Sequence, residues 1–417
     1  MHLNKIKFGT AKMSKMSGNP GTFVEKASRF DKIDLLFIGF LSWTFLGLAS
    51  LVFFLLNQAF QATNDSDIFY QEDNASMKSE IKSDERVIFF LTTASFDPLK
   101  NQWEIPIHGW IFEPEENSIK RKVALFALAK VLGLESEDAD TEVFKKRGRT
   151  FLVDNEGEKK ISIHLGSTLH FAGESKSNGH FKNTFYLSSE EVDRDKKSEN
   201  GTDWLYFQAI TKENDERVFE GKILLAPPQG ITVISDIDDT VKISEVLNRK
   251  ALLKNTFLTE FQVVPRMPSF YRELQKDGAI FHFVSSSPWQ LFSDLLEFLN
   301  KNEFPQATIH LKLFRVKDST FFDLFASSEI TKPKIIEPIM ERFPERQFIL
   351  IGDSGEKDPE IYTQLARKYP KQVIAIYIRD VTGENATALR YQKLFEGLSP
   401  SLWQIFTDPD EIIYQKK

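Results

Sequence analysis

The sequence predicts an α/β protein whose C-terminal part is a Rossmann-like parallel sheet with flanking helices. After residue 230, apolar runs rich in β-branched and aromatic residues alternate with amphipathic helical patterns, which is typical of βαβ units. Before that point, short strand-like runs between polar turns predict a β-rich, sandwich-like domain. An uncharged run of 22 residues near the N-terminus predicts one transmembrane helix.

These patterns divide the chain of 417 residues into five segments. They are a basic cytoplasmic segment (1–34), the transmembrane helix (35–56), a linker (57–86), the β-rich domain (87–228) and the α/β domain (229–417). The formal net charge of −7 argues against nucleic acid as the main partner, because phosphate backbones select basic surfaces. The absence of cysteine excludes disulfides, thiolate metal sites and cysteine nucleophiles.

The transmembrane prediction depends on length and on flanking charge. Residues 35–56 would form a helix of roughly 33 Å, which is enough for a hydrocarbon core of about 30 Å. A buried helix of a soluble domain is rarely apolar all round over such a length, and a cleaved signal peptide has a shorter apolar stretch. Seven Lys/Arg against three acidic residues precede the run. The positive-inside rule therefore predicts a single-pass protein with a cytoplasmic N-terminus and an extracytoplasmic α/β domain.

The β-rich segment shows no catalytic pattern. Two stretches, "TFLVDNEGEKKISIHLG" and "DWLYFQAITKENDERVFEGKILLA", are typical of hairpins, and residues 118–134, "SIKRKVALFALAKVLGL", fit a helix or a strand. Four histidines lack a shared metal-ligand spacing, so we interpret them as ordinary strand or loop residues: His108, His164, His170 and His180.

Polar side chains follow the predicted parallel strands, at the edge of the sheet where ligands of such folds bind. The first strand ends in Asp236, with Asp238 two positions later. The second, residues 279–284, is followed by Ser285, and the third, residues 347–351, by Asp353. A set of ligands made up only of oxygen atoms suits Mg²⁺ better than zinc. The sequence therefore predicts a magnesium site built on Asp236, Asp238 and Asp353.

Some neighbouring residues have a structural interpretation beside the functional one. Asp358 precedes Pro359 and a helical run, so an N-cap is at least as good an explanation as a site residue. Asp239 fits a solvated carboxylate. Lys332 lies at the start of a predicted helix, where a cation opposes the helix macrodipole, which favours an anionic partner.

The order of these motifs resembles that of haloacid-dehalogenase-type phosphatases. Asp236-Ile-Asp238-Asp-Thr240, Ser285, Lys332 and Gly352-Asp353 look like the four motifs of that superfamily. The stretches "VISDIDDTVK", "FHFVSSSPWQL" and "ERFPERQFILIGDSGEKDPEIY" resemble the family of fungal actin-patch-type, Mg²⁺-dependent phosphatidate phosphatases. The resemblance extends over roughly residues 103–381 and excludes the predicted membrane helix.

The resemblance implies a role for each matching residue. Asp236 would be the nucleophile that forms an aspartyl-phosphate, and Asp238 would protonate the leaving alkoxide and then activate water. Ser285 and Lys332 would hold phosphate oxygens. Asp353 would complete the Mg²⁺ site with Asp236 and the main-chain carbonyl of Asp238. Three further residues are possible members of the site: Thr240, Ser286 and Asp358.

Three functions are compatible with these observations. The first is a membrane-anchored phosphatidate phosphatase that acts on a phospholipid and releases diacylglycerol and phosphate. The second is a phosphatase of the same mechanism that acts on another phosphomonoester. The third is a membrane-tethered binding module without catalysis, which loss of Asp236 or Asp353 would have favoured; both are present. Substrate data are needed to separate the first two, because the phosphate-binding groups are common to both.

Overall fold

A computed structural model describes residues 78–114, 119–135, 137–199, 201–313 and 328–414. These residues belong to one compact unit. The predicted transmembrane helix, residues 35–56, lies outside the described residues and stays a prediction. Within the described ranges, each helix is too short or too polar to cross a bilayer.

The N-terminal part of the described chain is a mixed β-sheet with three helices. Its strands are β1 (Arg86–Phe89), β2 (Thr92–Asp97), β3 (Gln102–Glu113), β4 (Asp154–Asn155), β5 (Lys160–Leu165), β6 (Thr168–Glu174), β7 (His180–Ser188), β8 (Lys197–Glu199), β9 (Thr202–Ala209) and β10 (Glu220–Ala226). Its helices are α1 (Ile119–Leu132), α2 (Glu142–Thr150) and α3 (Ser189–Asp195). The ambiguous stretch 118–134 therefore contains a helix, α1.

The strands form one ten-stranded sheet in the order β1-β3-β2-β10-β9-β5-β6, with β4 and β7 on β3 and β8 on β9. This differs from the predicted sandwich, because the twelve-residue β3 pairs with β1 and β2 on one edge and with β7 on the other. The predicted hairpin between β9 and β10 is confirmed. The other predicted hairpin is wrong, since β4 pairs with β3 and β5 pairs with β6 and β9. Only Thr150, the first residue of that stretch, belongs to α2, and Phe151 is the buried C-cap of this helix.

The C-terminal part confirms the predicted parallel sheet with helices between its strands. Its strands are β11 (Ile231–Ser235), a small antiparallel pair of β12 (Lys242–Ile243) and β13 (Gln262–Val263), β14 (Ile280–Pro288), β15 (Ala307–Lys312), β16 (Gln347–Asp353), β17 (Val373–Arg379) and β18 (Trp403–Phe406). Its helices are α4 (Arg249–Phe257), α5 (Met267–Lys276), α6 (Phe292–Lys301), α7 (Ser328–Arg342), α8 (Asp358–Lys368) and α9 (Leu389–Leu394). The parallel sheet has the order β15-β14-β11-β16-β17-β18.

The two sheets share hydrophobic core. Phe90 and Trp110 of the mixed sheet pack in one cluster with Trp289 and Phe292, and Trp204 joins a second cluster with residues of β14 and α8. A hydrogen bond of 2.7 Å also joins the hydroxyls of Thr93 and Thr308. The mixed sheet thereby contributes to both hydrophobic clusters that pack against the parallel sheet.

A buried arginine fixes the connection between the sheets. Arg346 is 1% exposed and donates to the carbonyls of Pro227, Gln229 and Ile231 at 2.7, 2.7 and 2.5 Å. It also donates to the Thr232 hydroxyl at 2.7 Å. Because a buried guanidinium needs partners for its donors, these bonds hold the β10–β11 connection in one conformation.

Candidate active site

The residues predicted from strand ends meet at one edge of the parallel sheet. β11 lies between β14 and β16, with Ser235 opposite Phe283 on one side and Ile351 on the other. Asp236 directly follows β11, and its amide donates to the Ile351 carbonyl at 2.9 Å. Because the three parallel strands are in register, their polar C-terminal residues converge on a common site.

Lys332 lies at the centre of this site. Its Nζ is 2.8 Å from Asp236 Oδ1, 2.9 Å from Glu356 Oε2 and 2.5 Å from Asp358 Oδ1. Burial opposes its charge, but the three carboxylates outweigh that effect and raise the pKa of Lys332 well above its usual value. The lysine from α7 is therefore a fixed positive charge beside the predicted nucleophile.

Asp358 is a buried member of the same cluster rather than a helix cap. It is the first residue of α8, whose N-cap is Lys357, so the capping interpretation is wrong. Its Oδ2 accepts a hydrogen bond from the Asp353 amide at 3.3 Å. Gly352 is required beside it, because a Cβ at that position would collide with the Asp358 carboxylate.

Three carboxylates of the site lie close enough to bind one cation. One oxygen from each of Asp236, Asp353 and Asp358 lies within 4.8 Å of the others, and all three residues are buried. Asp353 Oδ1 accepts from the amides of Gly355 and Glu356 at 2.7 and 3.0 Å. In the described part of the chain, Asp353 Oδ2 and Asp236 Oδ2 accept no hydrogen bond.

The electrostatics of these carboxylates fit a hard divalent cation. Burial, followed by repulsion from neighbouring acids, raises the pKa of Asp353 well above its ordinary value. Burial likewise raises the pKa of Asp236, although Lys332 opposes the shift. Buried carboxylate oxygens without donors are the ligands that Mg²⁺ prefers, and a cation would offset both effects. The residues present therefore fit the predicted metal.

Asp238 has a different environment from Asp236. Lys242 Nζ lies 2.7 Å from its Oδ1, which also accepts from Ser244 Oγ at 2.7 Å. Its Oδ2 accepts from Ser285 Oγ and Ser287 Oγ, each at 3.0 Å. Burial raises the pKa of the Asp238 carboxyl, but Lys242 and the hydroxyl donors outweigh burial and lower it to about 2. The pKa values of the two neighbouring aspartates are therefore shifted in opposite directions.

Asp239 shapes the loop that carries these residues. It is 4% exposed, so the expectation of a solvated carboxylate is wrong. Its carboxylate accepts from the amides of Ser244, Glu245 and Val246 at 2.7, 2.9 and 2.6 Å. These bonds close the turn after the predicted nucleophile and hold Ser244 against Asp238.

Four residues of the site were not predicted from the sequence: Lys242, Ser244, Ser287 and Glu356. Lys242 had a usable signal, because it is the one charged residue in the apolar run after Thr240. Of the residues predicted as possible members, Thr240 is fully buried. The hydroxyls of Thr240 and Ser286 have no hydrogen-bond partner among the described residues.

A parallel α/β sheet with a buried aspartate pair, a lysine and a carboxylate cluster at its carboxyl edge is the arrangement of a phosphatase domain of the haloacid-dehalogenase type. Residues 231–380 match the family described as the catalytic domain of phosphatidate phosphatase APP1. This part of the chain is therefore similar to an APP1-type catalytic domain. The matched residues include β11, β14, β16 and every side chain of the cluster.

Two curated fungal proteins are similar to this chain. Phosphatidate phosphatase APP1 of Saccharomyces cerevisiae is 40% identical over 156 residues, which is 36% of this chain and 26% of that protein. An uncharacterized protein of Schizosaccharomyces pombe is 27% identical over 201 residues, which is 47% of this chain and 33% of that protein. The chain thus matches between a quarter and a third of the length of these relatives.

A solved structure, the class C acid phosphatase of Bacillus anthracis, aligns with a TM-score of 0.24 and 12% identity. The alignment covers 43% of this chain and 66% of that chain. A likeness at this level supports no conclusion about the activity of this protein.

Proposed function

We propose that this protein is a Mg²⁺-dependent phosphatidate phosphatase that forms an aspartyl-phosphate on Asp236. One observation carries the proposal: a buried lysine beside Asp236 and a cluster of buried carboxylates with oxygens that accept no hydrogen bond lie together in an APP1-type catalytic domain. The 40% identity to a yeast phosphatidate phosphatase supports the choice of substrate. An ordinary ion-pair network would not require carboxylate oxygens that accept no hydrogen bond.

The metal-binding residues would be Asp236 and Asp353, together with the main-chain carbonyl of Asp238, and Asp358 lies within reach of the same ion. When bound, Mg²⁺ would neutralise phosphoryl oxygens and keep the carboxylate of Asp236 ionised. Lys332 adds a fixed positive charge, with its Nζ 2.8 Å from Asp236 Oδ1. Ionisation of Asp236 is required because only the carboxylate attacks phosphorus.

The first chemical step transfers the phosphoryl group to the protein. An oxygen of Asp236 forms a bond to phosphorus, and the bond from phosphorus to the glycerol oxygen breaks. The leaving oxygen takes a proton from Asp238 and departs as the hydroxyl of diacylglycerol. Because Lys242 keeps Asp238 ionised in the free protein, the proton must arrive with the substrate, and a phosphate monoanion carries one at a pKa near 6.

The second step returns the protein to its starting state. Asp238, now ionised again, accepts a proton from water as the water oxygen bonds to phosphorus, and the bond to Asp236 breaks. Inorganic phosphate leaves with the oxygen of water and takes this proton from Asp238, which is then ionised as in the free protein. Lys332 and Ser285 are placed to hold the phosphate oxygens, since Lys332 contacts Asp236 and Ser285 contacts Asp238.

Phosphate release by the full chain tests this proposal. Phosphatidate in mixed micelles and a panel of soluble phosphomonoesters would be compared, with and without Mg²⁺, for the wild type and Asp236→Asn. Asp193→Asn, a change at an exposed aspartate of α3, is the matched control. We expect Mg²⁺-dependent release from phosphatidate in the wild type and the control, and none in Asp236→Asn.

Two other results would point elsewhere. Release confined to soluble esters would retain the mechanism and replace the substrate. No release from folded protein with Mg²⁺ present would favour the non-catalytic binding module. The membrane anchor in residues 35–56 and the extracytoplasmic position of the catalytic domain remain separate proposals, which protease accessibility of intact cells or vesicles would test.

A further inference from the structure

Helix α1 has apolar side chains on its outward face as well as on the face that packs into the protein. The inward side chains join the hydrophobic core: Leu125, Leu128, Ala129 and Leu132. On the other side, Val123, Phe126 and Val131 are 63%, 48% and 55% exposed. At 100° per residue these three positions lie within roughly 140° of arc, so they form one surface. The folded core accounts for the inward face of the helix and leaves the outward face unexplained.

The charge of α1 is opposite to that of the chain. Its sequence, IKRKVALFALAKVL, contains four basic residues and no acidic one, whereas the whole chain has a net charge of −7. Lys122 and Lys130 are exposed on the same side as Phe126. The outward face therefore combines large apolar side chains with ammonium groups.

Lys145 neutralises part of the negative charge of the acidic loop that follows α1. Lys145 Nζ lies 2.8 Å from Asp140 and 3.1 Å from Glu142. These ion pairs do not involve the lysines of α1, so the α1 surface stays basic. Asp140 also interacts electrostatically with Lys122, which helps to lower the pKa of Asp140.

Helix α1 is connected to Asp238 through a series of packing contacts and hydrogen bonds. Helix α1 packs against α2, and Arg147 of α2 donates to the Thr256 carbonyl at the end of α4 at 2.7 Å. Asn255 of the same helix donates to the Ser244 carbonyl at 3.3 Å, and the Ser244 hydroxyl donates to Asp238. A surface bound through α1 would thus be held in a fixed relation to the active site.

We propose that the outward face of α1 docks on an anionic lipid surface, an inference that rests on the proposed phosphatidate phosphatase function. Lipid fits this face better than a second protein does, because apolar residues and lysines are interleaved on it. In a bilayer interface the apolar side chains enter the acyl boundary while lysine stems extend to the headgroups. Phosphatidate and other acidic lipids supply the negative charge that Lys122 and Lys130 would contact.

The absence of cysteine from the chain permits a direct test. Phe126→Cys in the full chain would be labelled with an environment-sensitive fluorophore. Leu389→Cys is the control, since Leu389, at the start of α9, is an apolar residue that is even more exposed than Phe126, 64% against 48%. Both proteins would be reconstituted by detergent removal into vesicles of phosphatidylcholine with or without phosphatidylserine, in the absence of Mg²⁺ and phosphatidate.

We expect a blue shift and quenching by brominated lipid at position 126, stronger in vesicles with phosphatidylserine, and neither at position 389. Lys122→Gln and Lys130→Gln should each weaken the response about fivefold, which is the contribution of one lysine near an anionic surface. Added salt should weaken it as well.

Three results would overturn the docking proposal: no quenching at position 126, equal quenching at both positions, or a blue shift without lipid that grows with protein concentration, which would indicate a second copy. Since the readout involves no catalysis, it is independent of the proposed function. Docking without phosphate release would therefore overturn the enzymatic proposal alone, whereas Phe126→Ser with normal hydrolysis of phosphatidate in vesicles would overturn a role for docking in substrate access.

Discussion

Lys242 Nζ lies 2.7 Å from Asp238 Oδ1, and both side chains are buried, with 1% and 9% of their surface exposed. The two residues are only four positions apart in the sequence. They meet because the turn closed by Asp239 brings β12 back beside the Asp238 carboxylate. This lysine, together with the hydroxyl groups of Ser244 and Ser285, lowers the pKa of Asp238. Because the two charges form a buried ion pair, removal of one alone would leave the other buried without its partner.

Lys242→Met should therefore lower the free energy of unfolding by about 3–5 kcal/mol, as is typical when one partner of a buried ion pair is lost. The double variant Lys242→Met/Asp238→Leu should regain most of that loss and remain inactive. Urea unfolding of the three proteins measures the effect. Equal stability of the single variant and the wild type would show that Asp238 does not depend on Lys242.

Mg²⁺ should stabilise the wild type and not Asp353→Asn. In the absence of metal, burial and repulsion raise the pKa of Asp353, so the neutral variant should be more stable by about 1 kcal/mol. At a Mg²⁺ concentration of 100 times Kd, the wild type should gain about 2.7 kcal/mol. Thermal unfolding with EDTA and with Mg²⁺ measures both quantities, and Asp193→Asn should respond to Mg²⁺ like the wild type. A Mg²⁺ response retained in Asp353→Asn would place the ion elsewhere.

Gly352→Ala should be destabilised by about 1–3 kcal/mol, as expected for overpacking in a rigid interior. The added methyl group would meet the Asp358 carboxylate, which is itself held by Lys332. Adding Asp358→Ala to Gly352→Ala should cost less than the sum of the two single changes, because it creates room for the methyl group. Urea midpoints of the four proteins test this coupling, and strict additivity would show that the two residues are not in conflict.

The protein should lose stability as the pH falls below about 6.5. His180 Nδ1 lies 3.0 Å from His108 Nε2, and the His180 ring packs against Trp289. Burial lowers the pKa of His180 to about 4. Between these pH values the unfolded chain binds more protons than the folded one, so stability is retained above pH 6.5 and lost during acidification. By pH 5, His180 alone should account for about 2 kcal/mol.

The matched variants separate this histidine from other acid-sensitive groups. His180→Gln should show a smaller loss between pH 7 and pH 5 than the wild type, whereas His164→Gln, at an exposed residue, should behave like the wild type. The same loss in all three proteins would assign the acid sensitivity to other residues. Urea unfolding at the two pH values gives the comparison.

The strand ends were predictable because parallel strands buried on both faces have a strong sequence signal. The apolar runs of β11, β14 and β16 stop at Asp236, Ser285 and Asp353 or close to them, and parallel sheets bring such ends to one edge. The order of strands within the sheet and the pairing of β3 with strands on both of its edges were not predictable, since they depend on contacts distant in sequence.

The sequence by itself determined the α/β class and the positions of the carboxylate, hydroxyl and ammonium groups along the chain. These follow from local periodicity and from residue type. Tertiary structure alone decided that Asp358 pairs with Lys332, that Asp239 is buried in a turn and that Lys242 holds Asp238 ionised. The physical reason is that the charge state and partners of a side chain depend on its distance from other groups and on its burial, which are set only when separate segments pack together.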